Sequence, residues 1–392
     1  MKITLRKFWL QVHLYLGLTA GLIFALLGLT GSVLVFERAL DEQLHPDLML
    51  TQNPGTRRPL NEIIAAARAA YPELPSPDRV GAPRVANGVF EVRFNTSHGQ
   101  SKPEVVEVYV DPSTSKVLGR RVRGSGIIAT IYRLHATLLA GHTGETIVGT
   151  VALLVLISIA TGIYLWWPLW MSGWRAAWSI RPQKLSFDLH KVGGAAFTPI
   201  LALIAFTGVY LVFPAMIKPL VTLVSTETRQ PQKVKSKVPP QSAAPLGPDQ
   251  AVAMAIQELP GSRLISLELP QAADGVYRAY LRQDGEVGQL RGAGRVWIDQ
   301  YSGKVLASRD WNKFTFADTF FRIQLALHNG DAFGIIGRWL FVLTGLIPIT
   351  LYVTGLTLWW RKRQSRRRQQ HNLQARQAQP TPLVRTTASV LN

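Results

Sequence analysis

Between Lys191 and Lys218 the chain carries no charged residue. A helix of about 20 apolar residues crosses the roughly 30 Å hydrocarbon core of a bilayer. Four uncharged apolar runs meet that length: Phe8–Phe36, Thr146–Trp170, Val192–Ile217 and Trp339–Trp360. They predict an α-helical polytopic membrane protein with four transmembrane helices. The first run is expected to stay in place as a span. Its apolar part is too long for a cleaved signal, and no small-x-small site closes it.

Two of the runs are copies. His190 to Phe213 reads HKVGGAAFTPILALIAFTGVYLVF, and His13 to Phe36 reads HLYLGLTAGLIFALLGLTGSVLVF. The His, the Gly four residues on, the Thr-Gly near the end and the closing Leu-Val-Phe align without a gap. Eighteen residues make about five full turns. His13, Gly17 and Gly31 therefore share one helix face, as do His190, Gly194 and Gly208. Small residues beside a histidine leave room for something flat and wide. The other two runs also match: Thr-Gly-Ile-Tyr-Leu-Trp-Trp at 161–167 against Thr-Gly-Leu-Thr-Leu-Trp-Trp at 354–360. Counting back from Gly162 and Gly355 by equal steps reaches His135 and His328, each preceded by leucine.

The segments between the spans repeat as well. VYVDPSTSKVLG at 108–119 aligns with VWIDQYSGKVLA at 296–307. Val89–Phe94, Val105–Val110, Tyr277–Leu281 and Arg295–Ile298 read as strands, with turns opening at Asp111 and Asp299. Helix candidates Leu60–Ala70 and Pro248–Glu258 precede them. The chain is thus a tandem duplication of span, α+β module, Leu-His segment and span. Its parts are span 1 (1–39), module 1 (40–126), an interfacial helix with span 2 (127–170), a loop (171–187), span 3 (188–217), a linker with module 2 (218–315), an interfacial helix with span 4 (316–361) and a basic tail (362–392). The Pro/Lys/Gln/Ser-rich stretch Gln230–Pro248 is expected to be a mobile linker.

The net charge of +19 invites a nucleic-acid reading. Its distribution points instead to a lipid bilayer. Lys2, Arg6 and Lys7 precede span 1. Arg175, Arg181 and Lys184 lie between spans 2 and 3. Arg361, Lys362, Arg363, Arg366, Arg367 and Arg368 follow span 4. By the positive-inside rule these segments and both termini face the cytoplasm, and the modules face the other side. No nucleic-acid partner is expected. The chain has no cysteine, which excludes disulfides, iron–sulfur clusters, thiolate zinc and covalent c-type haem.

Four of the eight histidines are paired by the duplication. His13 and His190 belong to one side of the membrane, His135 and His328 to the other. Two imidazoles facing across a pseudo-twofold axis suit the two axial positions of a b-type haem. Ionisable groups inside a membrane are costly and mark function. A lone interfacial histidine is ordinarily just a hydrogen-bonding residue; matched pairs beside glycines favour ligation. Non-haem metal is the lesser alternative, since no carboxylate shares the spans. His142 lies on the same face as His135 if the helix continues, and is the alternative outer ligand. His45, His98 and His371 read as solvated. Arg133 and Arg338 flank the outer pair, placed either to pair haem propionates or simply to snorkel.

The His-x3-Gly…Thr-Gly spans, the Leu-His before spans 2 and 4 and the VYVDPSTSKVLG-type strands resemble the PepSY-associated transmembrane-helix proteins. The resemblance covers about 1–365. It implies a bacterial inner-membrane protein with two small periplasmic α+β PepSY-like modules. Characterised members are similar to ferric-siderophore reductases, including a ferrioxamine type with two haems. Carried over, that implies an oxidoreductase with two haem b, ligated by His13, His190, His135 and His328. A ferric hydroxamate-type siderophore would be the substrate, and a quinol or a cytoplasmic reductase the electron donor. No GxGxxG motif follows a strand, so no nicotinamide site is evident. A non-redox scaffold, with the modules binding a partner, and a siderophore or metal transporter are the readings from other classes.

Overall fold

The fold is given by a computed structural model, which describes residues 5–52, 55–96, 104–239, 244–288 and 292–377. Four helical segments are long and apolar enough to cross a membrane. Span 1 is Leu5–Leu34, span 2 Gly141–Met171 and span 3 Leu185–Val212. Span 4 is made of two pieces, Gly334–Gly345 and Ile347–Gln377. A helix suits such sequences because it satisfies its own backbone hydrogen bonds where no water can.

Span 1 packs on spans 2 and 4, and span 3 packs on the same two. Spans 1 and 3 therefore stand diagonally across a four-helix ring, as the duplication requires. Small residues let the helices close up. A Cβ on Gly28 would stand 2.4 Å from the Gly345 carbonyl oxygen. Ser32 seals that crossing by donating to the Val342 carbonyl at 2.9 Å.

Two of the expected spans differ in detail. The run Val192–Ile217 is not one helix: the chain bends at Phe213, and Pro214 starts a new helix, Pro214–Thr222. Proline has no amide to continue the ladder but suits a first turn. Span 4 breaks at Leu346, just before Pro348, for the same reason. Its second piece runs on through the basic stretch to Gln377.

The modules are not separate. Their strands are β1 (Pro77–Gly81), β2 (Phe90–Asn95), β3 (Val105–Val110), β4 (Val117–Val122), β5 (Arg263–Glu268), β6 (Val276–Arg282), β7 (Gly294–Asp299) and β8 (Val305–Arg309). They form one sheet in the order β4-β3-β2-β1-β5-β6-β7-β8. All neighbours are antiparallel, and the halves join where Val80 of β1 faces Leu267 of β5. Alternation puts Val80, Val92, Val108, Leu267, Ala279 and Val296 on one face. Helices Leu60–Ala70 and Pro248–Glu258 cover it with Ile63, Ala67, Ala251 and Ala255, all inaccessible to solvent. The helices also meet each other, since Asp249 accepts from the Leu60 and Asn61 amides at 2.7 and 3.2 Å.

The repeated aspartates build matching turns. Asp111 accepts from the Ser113 and Thr114 amides, and Asp299 from those of Tyr301 and Ser302, all at 2.9 Å. Asp299 also accepts from the Lys237 amide at 2.8 Å, and Ser236 is buried. The stretch expected to be a mobile linker is thus tied to the second module over its described residues.

The other sheet face is polar and looks toward the bundle. Helix Glu37–Leu44, just after span 1, reaches it through the pairs Arg38–Glu91 and Asp41–Arg121. Helix Phe316–His328, just before span 4, reaches it through Asp318–Arg309 at 3.0 Å.

Candidate functional site

The two histidine pairs expected from the duplication are both brought together. The His13 and His190 ring centroids are 6.1 Å apart and the rings are nearly perpendicular. Those of His135 and His328 are 6.2 Å apart, with the rings inclined by 61°. His13 and His190 come from the diagonal spans 1 and 3. His135 and His328 come from the short helices Gly126–Thr137 and Phe316–His328 that lead into spans 2 and 4.

Each ring is gripped in the same way by a different helix. His13 Nδ1 lies 3.0 Å from the Ser158 carbonyl oxygen and 3.0 Å from Thr161 Oγ1, both in span 2. His190 Nδ1 meets the Leu351 carbonyl and Thr354 of span 4 at 3.0 and 3.1 Å. His135 Nδ1 meets the Leu27 carbonyl and Thr30 of span 1 at 3.1 and 3.0 Å. His328 Nδ1 meets Thr207 of span 3 at 2.9 Å, and Thr207 in turn donates to the Leu203 and Ile204 carbonyls. A carbonyl can only accept, so Nδ1 carries the proton in His13, His135 and His190, and Thr207, whose hydroxyl proton goes to the Leu203 carbonyl, accepts from His328 Nδ1. That leaves the Nε2 lone pair available. A ligating histidine is ordinarily held in this way by a partner on its other nitrogen.

The four threonines belong to the four Thr-Gly pairs, and the glycines complete the cradles. A Cβ on Gly31 would stand 3.0 Å from His135 Cε1, and one on Gly162 would stand 3.1 Å from His13 Cε1. The corresponding distances are 3.6 Å from Gly208 to His328 and 3.3 Å from Gly355 to His190. This corrects the expected role of Gly31 and Gly208. They do not clear space beside the histidine of their own helix but seat the histidine of the opposite pair. Gly17 does face open space, with nothing within 4 Å of an added Cβ. The threonines carried a sequence signal that went unread: Thr-Gly recurs in all four spans, always at the end away from that span's own histidine or Leu-His segment.

The geometry admits a shared metal ion. An imidazole centroid lies about 1.1 Å from Nε2, and a metal–imidazole bond is about 2.0–2.1 Å. Two rings ligating one ion end to end therefore place their centroids about 6.3 Å apart, close to the spacing in both pairs. Among the described residues no group of three or more His, Cys, Asp or Glu gathers around a common point. Each pair thus offers two protein ligands. Eighteen residues of span 1 separate His13 from Gly31, which touches His135, so the pairs are about 27 Å apart along the helix. Burial pushes His135 and His328 below the ordinary imidazole value, His328 to about 4 with help from the neighbouring His135. Both are neutral at pH 7, the form a metal binds.

The remaining candidates lie elsewhere. The His142 side chain is 92% exposed and pairs with Glu145 at 3.3 Å, outside the outer pair. His45 pairs with Asp41 at 3.1 Å, and His371 is exposed. His98 falls outside the described residues. Arg133 donates to the Gly124 carbonyl and to Thr130 at 3.0 and 3.1 Å. Arg338 donates to the Val35 carbonyl and stacks 4.3 Å over the Phe36 ring. Both arginines therefore have partners close to the end of the bundle that carries the outer pair.

Comparison with curated proteins gives no match. Residues 10–362, nearly the whole chain, match the PepSY-associated TM region. The chain, with its four apolar helices in two matched halves and its antiparallel sheet between them, belongs to the PepSY-associated TM family.

Proposed function

We propose that this chain is an electron-transfer protein of the bacterial inner membrane that holds two b-type haems, one on each histidine pair, and reduces ferric siderophore to release iron. The observation that carries this reading is the fourfold cradle. Four imidazoles have Nδ1 committed to a threonine, three of them to a carbonyl as well, and they stand in two pairs at the spacing of a shared ion. Two protein ligands per ion, with no third nearby among the described residues, suit a metal whose remaining positions a macrocycle fills. Haem, when bound, supplies a one-electron couple at each end of the bundle.

The protein's own part is to hold and orient. Thr161 and Thr354 set the ring planes of the inner pair, and Thr30 and Thr207 those of the outer pair. A haem held by two histidines would favour electron transfer over oxygen binding. Arg133 and Arg338 would serve propionates by exchanging backbone carbonyls for carboxylates, which guanidinium binds more strongly. By the positive-inside rule the basic segments favour termini in the cytoplasm and the sheet, read as two joined PepSY-like modules, in the periplasm. In the net reaction one electron, from a quinol or a cytoplasmic reductase, converts chelated Fe(III) to Fe(II). Hydroxamate oxygens are hard donors and hold the softer Fe(II) less well.

Protein produced with ample haem and analysed as the pyridine haemochrome should give close to two haems per chain. After reduction with dithionite and removal of the excess, it should reoxidise on addition of ferrioxamine while ferrozine traps Fe(II). A haem-free product refutes the cofactor assignment. A di-haem product that ferric siderophore leaves reduced refutes the substrate assignment.

A further inference from the structure

The two halves of the bundle-facing sheet surface occupy equivalent positions but carry opposite charge at two of them. In the first half Glu107 of β3 lies between Arg93 and Arg121 on its neighbouring strands. The aligned residue of the second half is Arg295, which lies between Tyr280 and Arg309. Glu91 faces Tyr109 in the first half; in the second, Arg278 faces Trp297. Both glutamates have thus become arginines. The counter-helix has changed as well. After span 1, Asp41 comes up to pair with Arg121, whereas the helix after span 3 carries Lys218 at the aligned place.

The second half is therefore a basic surface set with aromatic rings. Arg278 stacks 5.6 Å over Trp297, and Arg295 lies 5.3 Å over Tyr280. Arg79, from the joining strand β1, covers the same Tyr280 ring at 5.0 Å. Two carboxylates neutralise part of this charge. Glu268 pairs with Arg79 and, at 2.9 Å, with Arg278, and Asp318 pairs with Arg309. Arg295 pairs with no carboxylate among the described residues, and its Nη1 meets only an amide oxygen, that of Gln230, at 3.1 Å. The Nε atoms of Arg79, Arg278, Arg295 and Arg309 are buried without a hydrogen-bond partner. Burial pushes the Arg295 guanidinium below its ordinary value, and Arg309 and Arg278 add to that effect. A cleft of about 430 Å³ lined by Arg229, Gln230 and Gln232 opens beside Arg295.

Taking the proposed reduction of a ferric chelate as its starting point, we propose that this surface is the docking site for an anionic, carboxylate-bearing chelate, held by Arg278, Arg295 and Arg309. Stacked, pre-oriented guanidinium groups bind carboxylates in a bidentate fashion. Asp318, the partner of Arg309, precedes His328 by ten residues on one helix, which sets the surface about 15 Å from the outer pair along that helix. A neutral or cationic chelate gains nothing from the arginines and would be reduced without their help. Carboxylates could reach the same groups from a second source, the propionates of a haem on the outer pair.

Titration of purified full-length protein with Ga(III) citrate, which carries the charge but accepts no electron, separates these sources. One equivalent should bind, and binding should weaken as salt rises. R278E and R295E should each weaken it at least tenfold, and R278Q and R295Q should weaken it less. The glutamates are compatible with the fold, because they are the residues of the equivalent positions Glu91 and Glu107. E91Q and E107Q should leave binding unchanged, and every variant should keep the visible spectrum of the parent. Equal binding by R295E and the parent would overturn the proposal. So would loss of the outer haem from R278E or R295E with citrate binding intact, since that assigns the arginines to propionates. If Ga(III) citrate binds as expected but reduced protein passes no electron to ferric citrate, the docking site stands and the reductase reading falls.

Discussion

Of the four cradle glycines, Gly31 lies nearest to a histidine. A methyl group there would stand 3.0 Å from His135 Cε1. Carbon atoms settle at about 3.5–4.0 Å, so Gly31→Ala requires the ring to retreat by about 0.5 Å. Metal–ligand distances tolerate about 0.2 Å. The ring cannot retreat and keep the proposed bond to haem iron unless Leu27 and Thr30 move with it, and both are part of span 1. The expected loss is of the size seen when a group supporting a ligand is removed, about 10–100-fold in affinity, or about 1.4–2.8 kcal/mol. Gly208 is the repeat's equivalent, yet its Cβ would lie 3.6 Å from His328, an ordinary contact. Gly208→Ala should therefore be silent. The full order of damage is Gly31, Gly162, Gly355, Gly208. Alanine is the better helix former, so the bundle should not loosen and the loss should be confined to one site. The assay is haem content and the visible spectrum of each variant, with the inner and outer haems distinguished by His13→Ala and His328→Ala references. Gly31→Ala should deplete the outer haem although it sits on the helix that carries His13. If it depletes the inner haem instead, or if Gly208→Ala is the more damaging change, the crossed cradle is refuted.

Three further outcomes follow from the same structure. Thr161→Val should lower inner-haem affinity about tenfold, with Thr161→Ser restoring most of it, since the hydroxyl supports Nδ1; His142→Ala should change neither haem. Asp249→Ala removes the acceptor for two amides at the start of helix Leu60–Ala70 and should cost about 1 kcal/mol, read as a lower melting temperature with haem content unchanged. Burial alone would raise Asp111, but the Thr51 hydroxyl and the Ser113 and Thr114 groups bring its carboxyl down to about 2. A depressed carboxylate contributes stability above its unfolded value of about 3.9 and loses it as pH falls toward 2. Asp111→Asn should flatten the stability profile in that window, and an unchanged profile would show that the turn does not depend on the charge.

Much of this architecture was legible because duplication writes each instruction twice. Helices Leu60–Ala70 and Pro248–Glu258 fall where their apolar spacing puts them, and the alternation in β2, β3, β6 and β7 gives those strands to within a residue or so. The histidine pairs were legible from aligned positions alone. The joining strands were not. β1 reads Pro-Asp-Arg-Val-Gly, a turn-like composition that becomes strand only because β2 and β5 offer it partners on both sides. Such pairing is tertiary and overrides local propensity. The cradle was hidden for a related reason. Helical periodicity places Gly31 on the same side of its helix as His13, but which neighbouring side chain fills that side depends on how the helices pack.

The crossed grip also fixes when the sites can exist during synthesis. His190 waits for Thr354, which lies near the end of the last span, and His328 is itself among the last residues to emerge before that span. A nascent chain that has inserted its first three helices therefore owns His13 and His190 but only His135 of the other pair, with the third helix's ring ungripped. Neither pocket can ripen ahead of the other. Insertion finishes first, and both become complete in one closing event, so a chain truncated before Thr354 should yield no partly working protein, only material for quality control.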